Sequence, residues 1–359
     1  MKLLIQPQDG AAPVVKGINS ARETIEILIF RFDHKEIENA LLSAVTRGVR
    51  VRALIAHTNR GGEKSLRALE LRLLAAGVTV ARTAGDLVRY HGKMIIIDQR
   101  KLYLLAFNFA YQDMDRSRSF GIVTTDKKSV QEAMRLFDAD TQRQPYAAGF
   151  KNFIVSPVNA RQELSAFIKK AKTELLIYDP SVKDPKVLRL LEERSKAGVS
   201  VRLLGSAKRG AGLSARRFAR MRLHTRTIVR DHGDVFIGSQ SLRSAELDKR
   251  REVGIIFRNA PIARALEKVF NEDWEMANVR AEGNDVASLP AEKIAKKVAK
   301  AVTKDLPPVV PVVEVIVREV AGNTADVAVN PNKLQDAVED AVKNAVLEAV
   351  REVIDDAQS

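Results

Sequence analysis

The 359-residue chain has no cysteine. A disulfide framework and a cysteine-ligated zinc are therefore excluded, and the fold must rest on packing alone. Aromatic residues make up only 5% of the chain, and no basic segment interleaves them as a surface that stacks nucleic-acid bases would. Long apolar runs are missing as well: no window approaches the roughly 18–20 uninterrupted apolar residues of a membrane span. The N-terminus, MKLLIQPQDG, offers three consecutive apolar residues before Gln6, short of the roughly 7–15 of a secretory signal. It is expected to form the first strand. These absences predict a soluble, cytoplasmic protein, peripheral at most on the inner membrane surface.

What is present is a large apolar fraction, 45%, with 29% charged residues, enough to bury the cores of two or three domains. The net charge of +14 is unevenly spread. Residues 281–359 hold 9 Lys/Arg and 14 Asp/Glu, a net of −5, which leaves +19 on residues 1–280. A field of that sign draws polyanions, whether nucleic acid or an anionic lipid surface, and does not choose between them.

The chain repeats itself. ETIEILIF (23–30), an amphipathic segment and RGVRVRALI (47–55) recur as KTELLIYD (172–179), a second such segment and KAGVSVRLLG (196–205). Each unit reads as strand, helix, strand, because short β-branched runs flank segments with apolar residues at helical spacing. Gly48 and Gly198 follow the two helices, where a left-handed residue turns the chain into the next strand. Two α/β domains follow, with boundaries at 1–147 and 148–280 and an acidic, partly helical tail at 281–359.

A second correspondence runs at a fixed offset of 133 residues with no gap. YHGKMIIID (90–98) places His91, Lys93 and Asp98 where LHTRTIVRD (223–231) places His224, Arg226 and Asp231. LAFN (105–108) matches GSQS (238–241), and Ser119 matches Glu252, each followed two residues later by glycine. Phe137 and Asp140 match Phe270 and Asp273. Along a strand, side chains at i and i+2 share a face, so His91 points with Lys93 and His224 with Arg226. Asn108 and Ser241, on the next strand of each half, can reach the same face. If the halves pack about a pseudo-twofold axis, two imidazoles and two cations converge, a set suited to a phosphate. One imidazole would attack phosphorus while the other protonates the departing alcohol. Lys93 and Arg226 would neutralise the non-bridging oxygens, with Asn108, Ser239 and Ser241 adding hydrogen bonds. No metal and no cofactor are expected; His34, His57 and His232 have no partners at ligand spacing.

His-x-Lys, four residues and Asp, followed by Gly-Ser-x-Asn and present twice, resembles the phospholipase D superfamily over about residues 1–280. The resemblance implies two pseudo-symmetric α/β domains whose sheets face a central cleft, and phosphodiester cleavage through a covalent phosphohistidine. It also implies that an acidic residue of one half orients the histidine of the other. Glu252 would then hold His91, which makes His91 the nucleophile and His224 the general acid/base. Departures are plain: Leu105 and Ala106 stand for Gly-Ser, Ser119 for an acid, Arg226 for Lys and Ser241 for Asn. Asp98 and Asp231 are expected to support the fold through ion pairs more than to touch phosphate.

Substrate class is less legible. A phospholipase D, with or without transfer to an alcohol, is the main expectation; an endonuclease and a protein that binds phosphodiesters without cutting them are the alternatives. SAKRGAGLSARRFARMR (206–222) is the stretch a nuclease would use for backbone phosphates, and TNRGGEKSLRALELRLLAAGV (58–78) gives a basic loop and amphipathic helix that a lipid enzyme would lay on an anionic membrane. In the tail, a Lys/Ala helix at about 290–303 and a helix from Asn330-Pro331 are expected to pack on the body, to bind a protein partner or to mediate self-association.

Overall fold

A computed structural model of the chain describes residues 1–57, 63–207, 213–218 and 220–279. The tail helices, the loop 58–62 and residues 208–212 and 219 of the basic stretch lie outside the described residues.

The first half runs β1 (Lys2–Gln6), α1 (Ala12–Asn19), β2 (Thr24–Ile29), α2 (Lys35–Thr46), β3 (Arg50–Ile55), α3 (Glu63–Ala75), β4 (Thr79–Arg82), β5 (Arg89–Tyr90), β6 (Met94–Ile97), β7 (Lys101–Leu105), α4 (Tyr111–Asp115), β8 (Ser117–Thr124) and α5 (Lys127–Gln142). The second runs β9 (Phe153–Val155), α6 (Ala160–Lys169), β10 (Glu174–Val182), α7 (Pro185–Lys196), β11 (Ser200–Ala207), β12 (Ser214–Arg217), β13 (Arg222–Leu223), β14 (Arg226–Arg230), β15 (Asp234–Gly238), α8 (Ser244–Asp248), β16 (Arg250–Arg251), β17 (Val253–Arg258), α9 (Ala260–Glu275) and β18 (Asn278–Val279).

The sheets repeat strand for strand. The first is ordered β1-β8-β7-β6-β2-β3-β4, and the second β9-β17-β15-β14-β10-β11-β12, with β18 added at its edge. In each, parallel neighbours lie on one side, β2·β3·β4 and β10·β11·β12, while the motif strands are antiparallel. The crossover helices α2, α3 and α7 allow the parallel pairs β2·β3, β3·β4 and β10·β11, and short turns allow only antiparallel ones. Gly48 and Gly198 take φ of 84° and 88° after α2 and α7, as the sequence requires.

Both faces of each sheet are covered, which is why the strands read as continuous apolar runs. Along β6, Met94 and Ile96 turn to one face and Ile95 and Ile97 to the other. One core lies outside the first sheet, under α1, α2 and α3; another lies outside the second, under α6, α7 and α8. The third, with α5 and α9, joins the inner faces of both sheets through Met94, Ile96, Phe120, Tyr178, Val229 and Phe257. The sheets thus face each other as expected, but most of the seam is packed solid.

Two short parallel pairings cross between the halves. β5 pairs with β16, Arg89 opposite Arg250 and Tyr90 opposite Arg251; β8 pairs with β13, Ser117 opposite Arg222 and Arg118 opposite Leu223. They are each other's counterpart at the 133-residue offset. Each ends immediately before a motif histidine.

Candidate active site

His91 and His224 emerge directly from these cross-half pairings. The His91 amide donates to the Arg251 carbonyl at 2.7 Å, and the His224 amide to the Arg118 carbonyl at 3.0 Å. The residue after each accepting carbonyl is therefore delivered to the opposite histidine: Glu252 to His91, and Ser119 to His224. Glu252 places Oε2 2.8 Å from Nδ1 of His91, and the carboxylate is fully buried. Lys93 sets its ammonium 2.8 Å from Nε2 of the same ring. Phe30 meets His91 edge to face, with ring centroids 4.5 Å apart. With Nδ1–H directed at Glu252, the tautomer leaves the Nε2 lone pair outward, held by Lys93.

The second histidine is held differently. Ser119 Oγ donates to the His224 carbonyl oxygen at 2.6 Å and so anchors the backbone. The carboxylate near the ring is Asp113 of α4, with Oδ2 3.3 Å from Nδ1, at ion-pair distance, while Nδ1 itself has no hydrogen-bond partner among the described residues. Asp113 also accepts from the backbone N–H and Nδ2 of Asn108, at 2.9 and 2.6 Å, and pairs with Arg222. Asn108 therefore supports an acid. Ser241, its counterpart, accepts from Nε of Arg226 at 3.0 Å, while Nη1 of Arg226 has no hydrogen-bond partner among the described residues. Ser239 accepts from the Val253 amide at 3.1 Å and so fixes the first residue of β17, next to Glu252.

Burial and mutual repulsion set the charge states. Burial, then Lys93 and Arg226, hold the His91 imidazole well below its usual pKa, in the neutral, nucleophilic form. Burial also drives His224 down, with Asp113 opposing and Arg222, Arg226 and Lys93 adding to the fall. Lys93 and Arg226 are lowered chiefly by burial. Glu252 is raised by burial, against the pull of Lys93. Each histidine feels the cation of the other half, so the two motifs form one site.

Asp98 and Asp231 lie elsewhere. Both take left-handed φ, 49° and 48°, in the turns after their strands. Asp98 accepts from the backbone N–H groups of Arg22, Glu23 and Thr24, and Asp231 from those of Lys172, Thr173 and Glu174. Neither touches the site. Each ties its turn to the start of a neighbouring strand through backbone amides instead of ion pairs. The missed residue is Asp113. Its signal was present: it stands 22 residues after His91, as Glu246 stands 22 after His224.

The fold and this paired constellation define an α/β protein built as an internal duplicate, with a buried histidine and a buried basic side chain from each half. The model of the family described as "Cardiolipin synthase, PLD-like domain" matches residues 14–141 and 164–274, and the chain belongs to the phospholipase D superfamily. It is 23% identical over 329 residues to a polyphosphate kinase of Pseudomonas syringae pv. tomato, which covers 80% of this chain and 44% of that one. It is 30% identical over 115 residues to a phospholipase D of Rickettsia prowazekii, 32% of this chain and 54% of that one. The chain thus spans about half the length of these curated relatives. A phosphatidylserine synthase structure from Haemophilus influenzae Rd KW20 superposes with a TM-score of 0.63 at 11% identity, covering 84% of this chain and 92% of that one. Among the described residues, no helix is long and apolar enough to cross a membrane.

Proposed function

We propose that the protein cleaves phosphodiesters through a phosphohistidine at His91 and acts on glycerophospholipid headgroups, by hydrolysis or by transfer to an alcohol. The observation that carries this reading is the His91 ring, neutral, clamped by Glu252 at Nδ1, with Nε2 against the Lys93 ammonium that would pass to the phosphate oxygens as substrate binds. Nε2 attacks phosphorus, the P–N bond forms as the P–O bond to the leaving alcohol breaks, and His224 gives that oxygen its proton. Water or a second alcohol then attacks phosphorus and yields its proton to His224, and the P–N bond breaks. Lys93 and Nη1 of Arg226 bear on the oxygens that gain charge. The lipid choice draws support from the matched family's description, from the Rickettsia relative and from the two-domain likeness to the synthase.

A second reading, transfer from a phosphoanhydride such as polyphosphate, is favoured by the coverage of the Pseudomonas relative. It also suits the planar guanidinium of Arg226, which grips phosphate as a fork where an ammonium acts as a point charge. The test is to incubate the purified chain with phosphatidylglycerol vesicles in EDTA, and with plasmid DNA in EDTA. A third arm uses polyphosphate plus a nucleoside diphosphate, with and without magnesium. Headgroup release is the expected result; nicking or nucleotide phosphorylation instead would reassign the substrate. Binding without turnover in every arm would leave a phosphodiester-binding protein.

A further inference from the structure

The acid that the duplication calls for beside His224 is missing, and another has taken its place. Because β8 pairs with β13 as β16 pairs with β5, Ser119 occupies the station of Glu252. Its hydroxyl ends on the His224 carbonyl oxygen, away from the ring. Asp113, 3% exposed, approaches Nδ1 instead. Three donors fix its carboxylate: the amide of Asn108, its Nδ2, and Arg222. The counterpart Glu246 takes no such part; it accepts from Arg250 at 2.8 Å, while Glu252 holds His91. Each histidine therefore has one carboxylate facing Nδ1, drawn from a different register position: hydrogen-bonded at His91, and at ion-pair distance at His224, whose Nδ1 has no hydrogen-bond partner among the described residues.

We infer that Asp113 is the positioning residue of the general acid: it holds His224 by Nδ1 with Nε2 toward the leaving oxygen and stabilises the imidazolium. This rests on the phosphohistidine reading above. A general acid must carry its proton when the leaving oxygen departs, and burial alone would strip it from His224. Burial works against ionisation of Asp113 too, but His224, Arg222 and Asn108 outweigh it and keep the carboxyl well below the usual carboxylate range. In the first step the Nε2 proton of His224 passes to the leaving oxygen as the P–O bond breaks. The Nδ1 proton stays between the ring and Asp113. In the second step water returns a proton to Nε2 as the P–N bond breaks.

An ester pair separates this role from a merely structural one. A p-nitrophenolate departs without a proton, whereas an alkoxide needs one. In Asp113→Asn, phosphoenzyme formation from an alkyl phosphodiester should fall about 100-fold, and from a p-nitrophenyl phosphodiester by less than about tenfold. The basic limb of the alkyl pH–rate profile should move to lower pH, because removing the carboxylate lowers the His224 pKa. Equal losses for the two esters, with an unmoved limb, overturn the inference. If Asp113→Asn does not fold, Asp113→Glu replaces it; there the ratio and limb should move the same way by a smaller factor, and no movement overturns the inference. Failure of the unaltered protein to label His91 with either ester would instead overturn the phosphohistidine reading.

Discussion

At His91 the Glu252 contact fixes one ring nitrogen and leaves the other to react, whereas His224 faces Asp113, which is itself paired with Arg222. The two alanine variants should therefore behave differently. With a radiolabelled phosphodiester and acid-free quenching, His91→Ala should take up no label. His224→Ala should retain label and turn over about 10²–10⁴-fold more slowly, the usual contribution of a proton-transfer group. Label on His91→Ala but not on His224→Ala would exchange the two roles. Much of this was legible in sequence, since one offset placed both histidines, both cations and Glu252. The partner of His224 was not, because the same offset led to Ser119, and only the position of α4 shows which carboxylate fills the gap.

Among the elements, the motif strands are held by the aspartates that end them. Asp98 gathers three backbone N–H groups at the start of β2, and these hydrogen bonds outweigh burial and keep its carboxyl below the ordinary range. Asp98→Ala should cost about 1–2 kcal/mol, a charge-assisted hydrogen bond set discounted for partial exposure. The sign of the pH dependence follows. A depressed pKa contributes stability above the unfolded value near 4, and that contribution is lost as pH falls through the folded value. Urea unfolding should show the gap between variant and parent at pH 7 and a narrower gap at pH 3. Strand and helix order was readable from apolar periodicity and the two glycines. The β5·β16 and β8·β13 pairings were not, because two-residue strands leave no periodic pattern.

Across the whole molecule, the halves are clamped by two buried ion pairs related by the same offset. Arg118 meets Asp273 through Nε and Nη2, at 2.7 and 2.9 Å, and Tyr178 adds its hydroxyl at 2.7 Å. Arg251 reaches Asp140 by one contact of 3.1 Å, and the other oxygen of Asp140 has no hydrogen-bond partner among the described residues. Burial outweighs Arg251 and pushes Asp140 up to about 6. A raised acid is protonated in the folded state before the unfolded one, so its contribution falls as pH rises from about 4 to 6 and is level above. Comparing thermal unfolding across pH 4–7, Asp140→Asn should remove of order 2–3 kcal/mol of that fall; an unchanged profile would place the titration elsewhere. Truncation after residue 280 should leave phosphoenzyme formation intact, and a folded but inactive truncated protein would assign the tail a part in the chemistry.

The sequence by itself determined the duplication, the α/β class and the phosphate-directed pair of motifs, because periodicity and register are properties of residue order. Even the clamp was foreshadowed, in that Asp140 and Asp273 matched each other. What each touches was decided only by tertiary structure: Asp140 finds Arg251, Asp273 finds Arg118, and Asp113 stands in for the acid absent at Ser119. Partners so distant in sequence meet only when two sheets pack face to face. In that buried seam an unpaired charge is costly, so the carboxylate that serves His224 is the one that the fold can bring there.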